Sequence, residues 1–209
     1  MYAGLDLSLT QTGVCVMLDS TSAVTSGEGS KVLKGMPRVK TIVEHIKMVF
    51  NEFAFSIDLC AIEGYALYGP GHKFYQAELC GVVKWHLEEW CIPYIVVPPN
   101  SAKQFLTGNG KADKIQMCEV IRDVYGKNLL HEYKGTKKKP EPPVDWGAKE
   151  THWKTDEADA FGLAQVAALY DGGWDKHPTL EQLSIIEGIR LDPTQVLTKA
   201  SKARAQAKK

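Results

Sequence analysis

Two apolar runs, Ile57 to Ile62 and Pro93 to Val97, flank a stretch of helical spacing from Lys73 to Trp90, and this arrangement constrains the fold more than any other feature. Strands apolar at nearly every position are buried on both faces, as in parallel sheets, and parallel neighbours need a crossover helix between them. Ahead of these runs, Tyr2 to Ser8 and Gly13 to Leu18 read as short strands joined by the turn residues SLTQT, with a weaker third strand near Ser30 to Leu33. Val39, Ile42, Ile46, Val49, Phe50 and Phe53 recur at helical spacing after Pro37 and predict a helix over Arg38 to Phe53. A meander followed by crossovers predicts an α/β chain: a mixed five-stranded sheet with helices on both faces.

Downstream, the Lys73 to Trp90 helix brings Phe74, Ala77, Cys80, Gly81, Val83 and Lys84 together. Ser101 is placed to cap a short helix through Leu106, Gly108 and Gly110 punctuate the loop Thr107 to Lys111, and Asp113 to Tyr125 is helical. Gly135 to Gly147 is rich in Lys and Pro and lacks apolar periodicity, which predicts a loop excursion. Thr155 to Leu169 predicts a helix capped by Thr155, with Phe161, Val166 and Leu169 on its apolar side. The tail holds one helix near Leu180 to Ile189 and a basic one entered through Asp192 and Pro193.

The 209 residues suit one domain with a sizeable core. The 25 basic and 25 acidic residues cancel, which argues against a nucleic-acid partner until the chain is divided. The balance is −3 over Met1 to Pro99, +4 over Asn100 to Thr155, −6 over Asp156 to Asp192 and +5 beyond, so basic stretches flank an acidic one. No apolar run nears the roughly 20 residues that span a bilayer, and the start lacks the charged region of a signal peptide. The five cysteines never form a CxxC pair and sit in apolar stretches, which predicts buried free thiols, a cytoplasmic setting and no thiolate zinc site.

Asp6 interrupts the first strand and Glu63 ends the apolar run CAIE. Either acid suits a solvent-facing strand end, yet parallel neighbours would set them side by side, and ligands gather at the carboxyl ends of such strands. Asp156 and Asp159, three apart in TDEADAF, share a helix face. The helix dipole accounts for Asp156 and Glu157 in the first turn, and for Asp159 less well. Four converging carboxylates repel unless divalent cations neutralise them, and oxygen ligands suit Mg²⁺ or Mn²⁺.

These segments resemble the RuvC-like Holliday-junction resolvases of the RNase H superfamily. GLDLSLTQTGVCV is similar to that family's first strand and turn, AIEGYA to its second acidic motif, VPPNSAKQFLTGNGKADKIQM to the segment after its central strand, and TDEADAFGLA to its closing helix. The length points to a phage or viral member. The resemblance implies a structure-specific endonuclease that cuts four-way junctions in pairs, with Asp6, Glu63, Asp156 and Asp159 holding two Mg²⁺ ions (or Mn²⁺) and Lys114 at the scissile phosphate. It implies DNA contacts from Lys103, Lys111 and the loop Gly108, Asn109 and Gly110, a homodimer built through the Lys73 to Trp90 helix, and work in the cytoplasm of a bacterial or phage-infected cell. The nuclease domain would cover residues 1–171, with the Lys/Pro-rich loop at about 131–154 and residues 172–209 as an extension. The family's aromatic wedge falls on Ala66 here, leaving Tyr65 or Tyr68 to open the junction. Cutting of flaps or RNA–DNA hybrids, or junction binding without catalysis, are the alternatives. GLDLSLTQTG also resembles the phosphate loop of actin-type phosphotransferases, which need a second domain that 209 residues do not hold.

Overall fold

The computed structural model describes residues 1–19, 23–28, 32–64, 73–127, 129 and 155–191. Among the described residues, five strands and six helices follow in the order β1 (Tyr2–Asp6), β2 (Thr12–Met17), β3 (Ala23–Glu28), α1 (Met36–Asn51), β4 (Leu59–Glu63), α2 (Lys73–Glu89), β5 (Tyr94–Val97), α3 (Ser101–Thr107), α4 (Lys114–Tyr125), α5 (Thr155–Asp171) and α6 (Leu180–Leu191). They build one mixed sheet in the order β3-β2-β1-β4-β5. The meander strands pair antiparallel, whereas β4 runs parallel to both β1 and β5. This is the expected five-stranded α/β architecture.

Strand alternation divides the core between the two faces of the sheet. Ala3, Leu5, Val14, Val16, Cys60 and Ile62 pack with α1 and α2. Cys15, Met17, Leu59 and Ala61 turn the other way, toward α5 and its covering helices α3, α4 and α6. α1 buries Val39, Ile42, Val43, Ile46, Val49 and Phe50 along one stripe. α5 is different, because every residue from Glu157 to Ala168 is buried. Its small residues allow close seating: a Cβ on Gly4 of β1 would stand 2.0 Å from the Ala160 carbonyl oxygen, so the glycine lets helix and strand backbones touch.

Several local expectations need correction. The third strand is Ala23–Glu28, while Val32 is 87% exposed and Leu33 lies outside any strand. AVTSGE is a polar edge strand that pairs only with β2, so it carries little apolar signal. Ser101 is the first residue of α3 and Asn100 stands at its N-cap without a side-chain cap bond, while α5 takes Thr155 as its first helical residue rather than a residue ahead of it. On α2 the packed residues are Leu79, Cys80, Val83 and Leu87, whereas Phe74 is 89% and Trp85 59% exposed. Cys91 is exposed, while the other four cysteines are buried. The Lys/Pro-rich excursion and the last basic helix lie outside the described residues.

Candidate active site

Two parallel strands and one helix bring the acids together. In the β1–β4 register Leu5 sits opposite Ile62, so the next residues, Asp6 and Glu63, stand side by side at the carboxyl ends of their strands. α5 crosses this end of the sheet and presents Asp156 and Asp159 one turn apart. Ligand atoms of Asp6, Asp156 and Asp159 all lie within 4.8 Å of one another. Glu63 stands outside that trio and is hydrogen-bonded to Asp6.

Electrostatics mark Asp6 as a strongly perturbed acid. Its carboxyl is pushed up to about 7, first by burial, then by the charge of Glu63 with a further push from Asp156, against the opposing pull of Lys114. An acid held that far above the ordinary carboxylate range reports crowded negative charge in a dry place. Lys114 supplies the cation and forms an ion pair with Asp159, which is only 5% exposed.

Lys114 is held there by local chemistry that the sequence does carry. It is the first residue of α4, whose N-cap Asp113 accepts from the Gln116 backbone amide at 2.9 Å, while the Asp113 amide donates to the Gln116 side chain at 3.1 Å. D-K-I-Q is thus a capping box that fixes where the helix starts. The preceding loop is tied internally: the Asn109 amide donates to the Thr107 hydroxyl and the Lys111 amide to the Asn109 side chain. Gly108, with φ of 71°, ends α3 in the left-handed region. Lys111, Gly108 and Asn109 are exposed, with Lys103 and Gly110 half-buried. Tyr65 and Tyr68 lie outside the described residues.

Two contributors were not singled out from sequence. Glu157, expected as a first-turn acid, is buried at 4% exposure beside the thiols of Cys15 and Cys118, both raised to about 12 chiefly by burial. Such thiols stay protonated and inert. Gln76 of α2 donates to the Leu7 carbonyl at 3.2 Å, tying α2 to the chain one residue beyond Asp6. That bond spans 69 residues and leaves no local trace.

No protein-family model matches the chain. It is similar to two curated proteins described as crossover junction endodeoxyribonuclease RuvC. One, from Gloeobacter violaceus, is 34% identical over 89 residues, 43% of this chain and 50% of the relative. The other, from Synechococcus sp., is 32% identical over 68 residues, 32% of this chain and 44% of the relative. The chain thus spans about half the length of the curated relatives it matches. Among solved structures, Thermus thermophilus RuvC superposes with a TM-score of 0.52 at 22% identity, covering 82% of this chain and 96% of that one. RuvC of the same organism in complex with a Holliday junction substrate gives 0.54 at 23% identity, covering 82% and 95%. The motif resemblance to RuvC-like proteins therefore stands, and the fold is theirs.

Proposed function

We propose that this chain, folded as the RuvC structures are, is a metal-dependent endonuclease that resolves four-way DNA junctions. The observation that carries the reading is the trio Asp6, Asp156 and Asp159 at the carboxyl end of the parallel strands, with Lys114 against it. Three carboxylates this close, one with its proton held to about 7, fit a divalent cation. In this reading Asp6, Glu63, Asp156 and Asp159 hold two Mg²⁺ ions, which Mn²⁺ replaces. When bound, such ions lower the pKa of a water and stabilise the leaving oxygen of a phosphodiester.

The chain's own residues do the rest. Lys114 contacts the scissile phosphate and offsets charge that builds in the transition state. Lys103, Lys111 and the loop Gly108, Asn109 and Gly110 grip the DNA backbone, and Tyr65 or Tyr68, just after Glu63, takes the place of the family's wedge where the junction opens. Residues 1–171 form the nuclease domain, with 131–154 as a loop and 172–209 as an extension. A homodimer matches the two-fold symmetry of a junction. The α2 face bearing the exposed Phe74, Tyr75 and Trp85 supports that contact, and sedimentation as a monomer with and without junction overturns it. Among the described residues no helix is long and apolar enough to cross a membrane, and the reading sets the work in the cytoplasm.

The test is incubation with synthetic four-way junction, duplex, flap and RNA–DNA hybrid, with Mg²⁺ or with chelator. Paired symmetric nicks in the junction, lost with chelator, are expected. Preferred cutting of the hybrid or flap reassigns the substrate, and binding without any cleavage makes the protein a junction binder.

A further inference from the structure

Gly13 offers no chemical group, yet its position bears directly on the acids. It is the β2 partner of Asp6 in the antiparallel register. A Cβ built on Gly13 would stand 1.9 Å from the Asp156 carbonyl oxygen, 2.4 Å from its carbonyl carbon and 3.1 Å from the Glu157 amide nitrogen. All three are backbone atoms, so no rotamer change relieves the overlap. Gly13 lies in ordinary extended strand, not at a positive φ, so what glycine supplies here is space.

We propose that Gly13 is a positioning residue of the metal site, setting the depth at which the first turn of α5 seats and hence the reach of Asp156 toward Asp6. The inference rests on reading the carboxylates as metal ligands. A methyl group at residue 13 lifts the start of α5 by more than an ångström, since ordinary contact begins near 3.4 Å. The lift falls on a residue of the trio and is least relieved there, because β1 and β2 are buried on both faces.

The experiment measures Mn²⁺ binding by calorimetry on full-length protein, with trimethylamine N-oxide present to hold weakened variants folded. Gly13→Ala should weaken Mn²⁺ binding about tenfold or more, the scale on which displaced ligand support acts. Val166→Ala, buried ten residues further along α5, should lower the melting temperature yet keep the wild-type Mn²⁺ affinity. In an Asp156→Ala background, Gly13→Ala should cost no additional affinity, because its effect runs through Asp156. Wild-type affinity in folded Gly13→Ala overturns the proposal, as does a full additional loss in the double variant. Failure of Gly13→Ala to fold in the osmolyte overturns it too, since Gly13 would then serve the fold and not the site. If the wild-type protein binds no Mn²⁺, it is the metal-site reading that fails, and the calorimetry distinguishes the two.

Discussion

α1 and α5 are 16 and 17 residues long and lie on opposite faces of one sheet, yet they are built by different rules. α1 buries large aliphatic side chains along one stripe and leaves its other face to water. α5 is buried on every side from Glu157 to Ala168, so that stretch is mostly Ala, Gly and a few large residues, and Asp156, Glu157 and Asp159 lie near its start. The difference teaches what each helix is for. α1 supplies hydrophobic area, roughly 25 cal/mol for each Å² removed from water. α5 supplies placement, because a helix packed between a sheet and three other helices seats its first turn at a depth its neighbours set.

Breaking the two helices in turn should therefore give opposite phenotypes. Asp159→Asn in α5 is expected to cut junction cleavage about a thousandfold, near 4 kcal/mol of barrier, while junction binding survives. Ile46→Ala in α1 should cost about 2–5 kcal/mol of stability and leave cleavage intact well below its melting temperature. Denaturant melts and single-turnover assays on both variants check this, and the reverse pattern undoes the contrast. Lys114→Ala should slow the chemical step by about a hundredfold with little change in junction affinity; a defect confined to binding would demote it to a phosphate anchor.

A pH series sharpens the same contrast. The folded protein holds the Asp6 proton up to about 7, whereas the unfolded chain releases it near 4. Between those values the folded state binds more protons, so the stability of chelator-treated protein should fall as pH rises, by at most about 1.4 kcal/mol per unit. Mg²⁺ should flatten or reverse that slope, and a flat melting-temperature profile in chelator would refute the crowding of acids. The smallest effect belongs to α6, which meets α3 through the exposed Gln104–Glu181 hydrogen bond of 2.9 Å. Glu181→Ala should cost less than about 1 kcal/mol, seen as a small drop in melting temperature.

The sequence made the sheet, its parallel half and the four acids legible, because buried parallel strands are apolar throughout and acids inside such runs stand out. It hid whatever rests on contacts between distant segments. β3 is held by pairing with β2 and shows no pattern of its own, and the packed side of α2 is set by which helix lies over it. Phe74 falls in the helical spacing that groups it with Cys80 and Val83, and only the fold shows it facing outward. Glu157 looked like a dipole partner by position, and the fold buries it near Cys15 of β2 and Cys118 of α4. The Asp113 capping box was present as a motif, and its weight became visible once Lys114 was seen beside Asp159.

The seating of α5 on β1 also orders events in time. Asp6 lies in the first strand, and its partners on α5 are about 150 residues later in the chain. Synthesis proceeds at about 5–20 residues per second, so β1 waits several seconds on the ribosome before the last acids of the trio emerge. Contacts of such sequence separation form late and slowly. No partial chain ending before α5 can assemble the acidic trio. In the proposed reading, competence to cut DNA therefore arrives only when nearly the whole described fold has been synthesised.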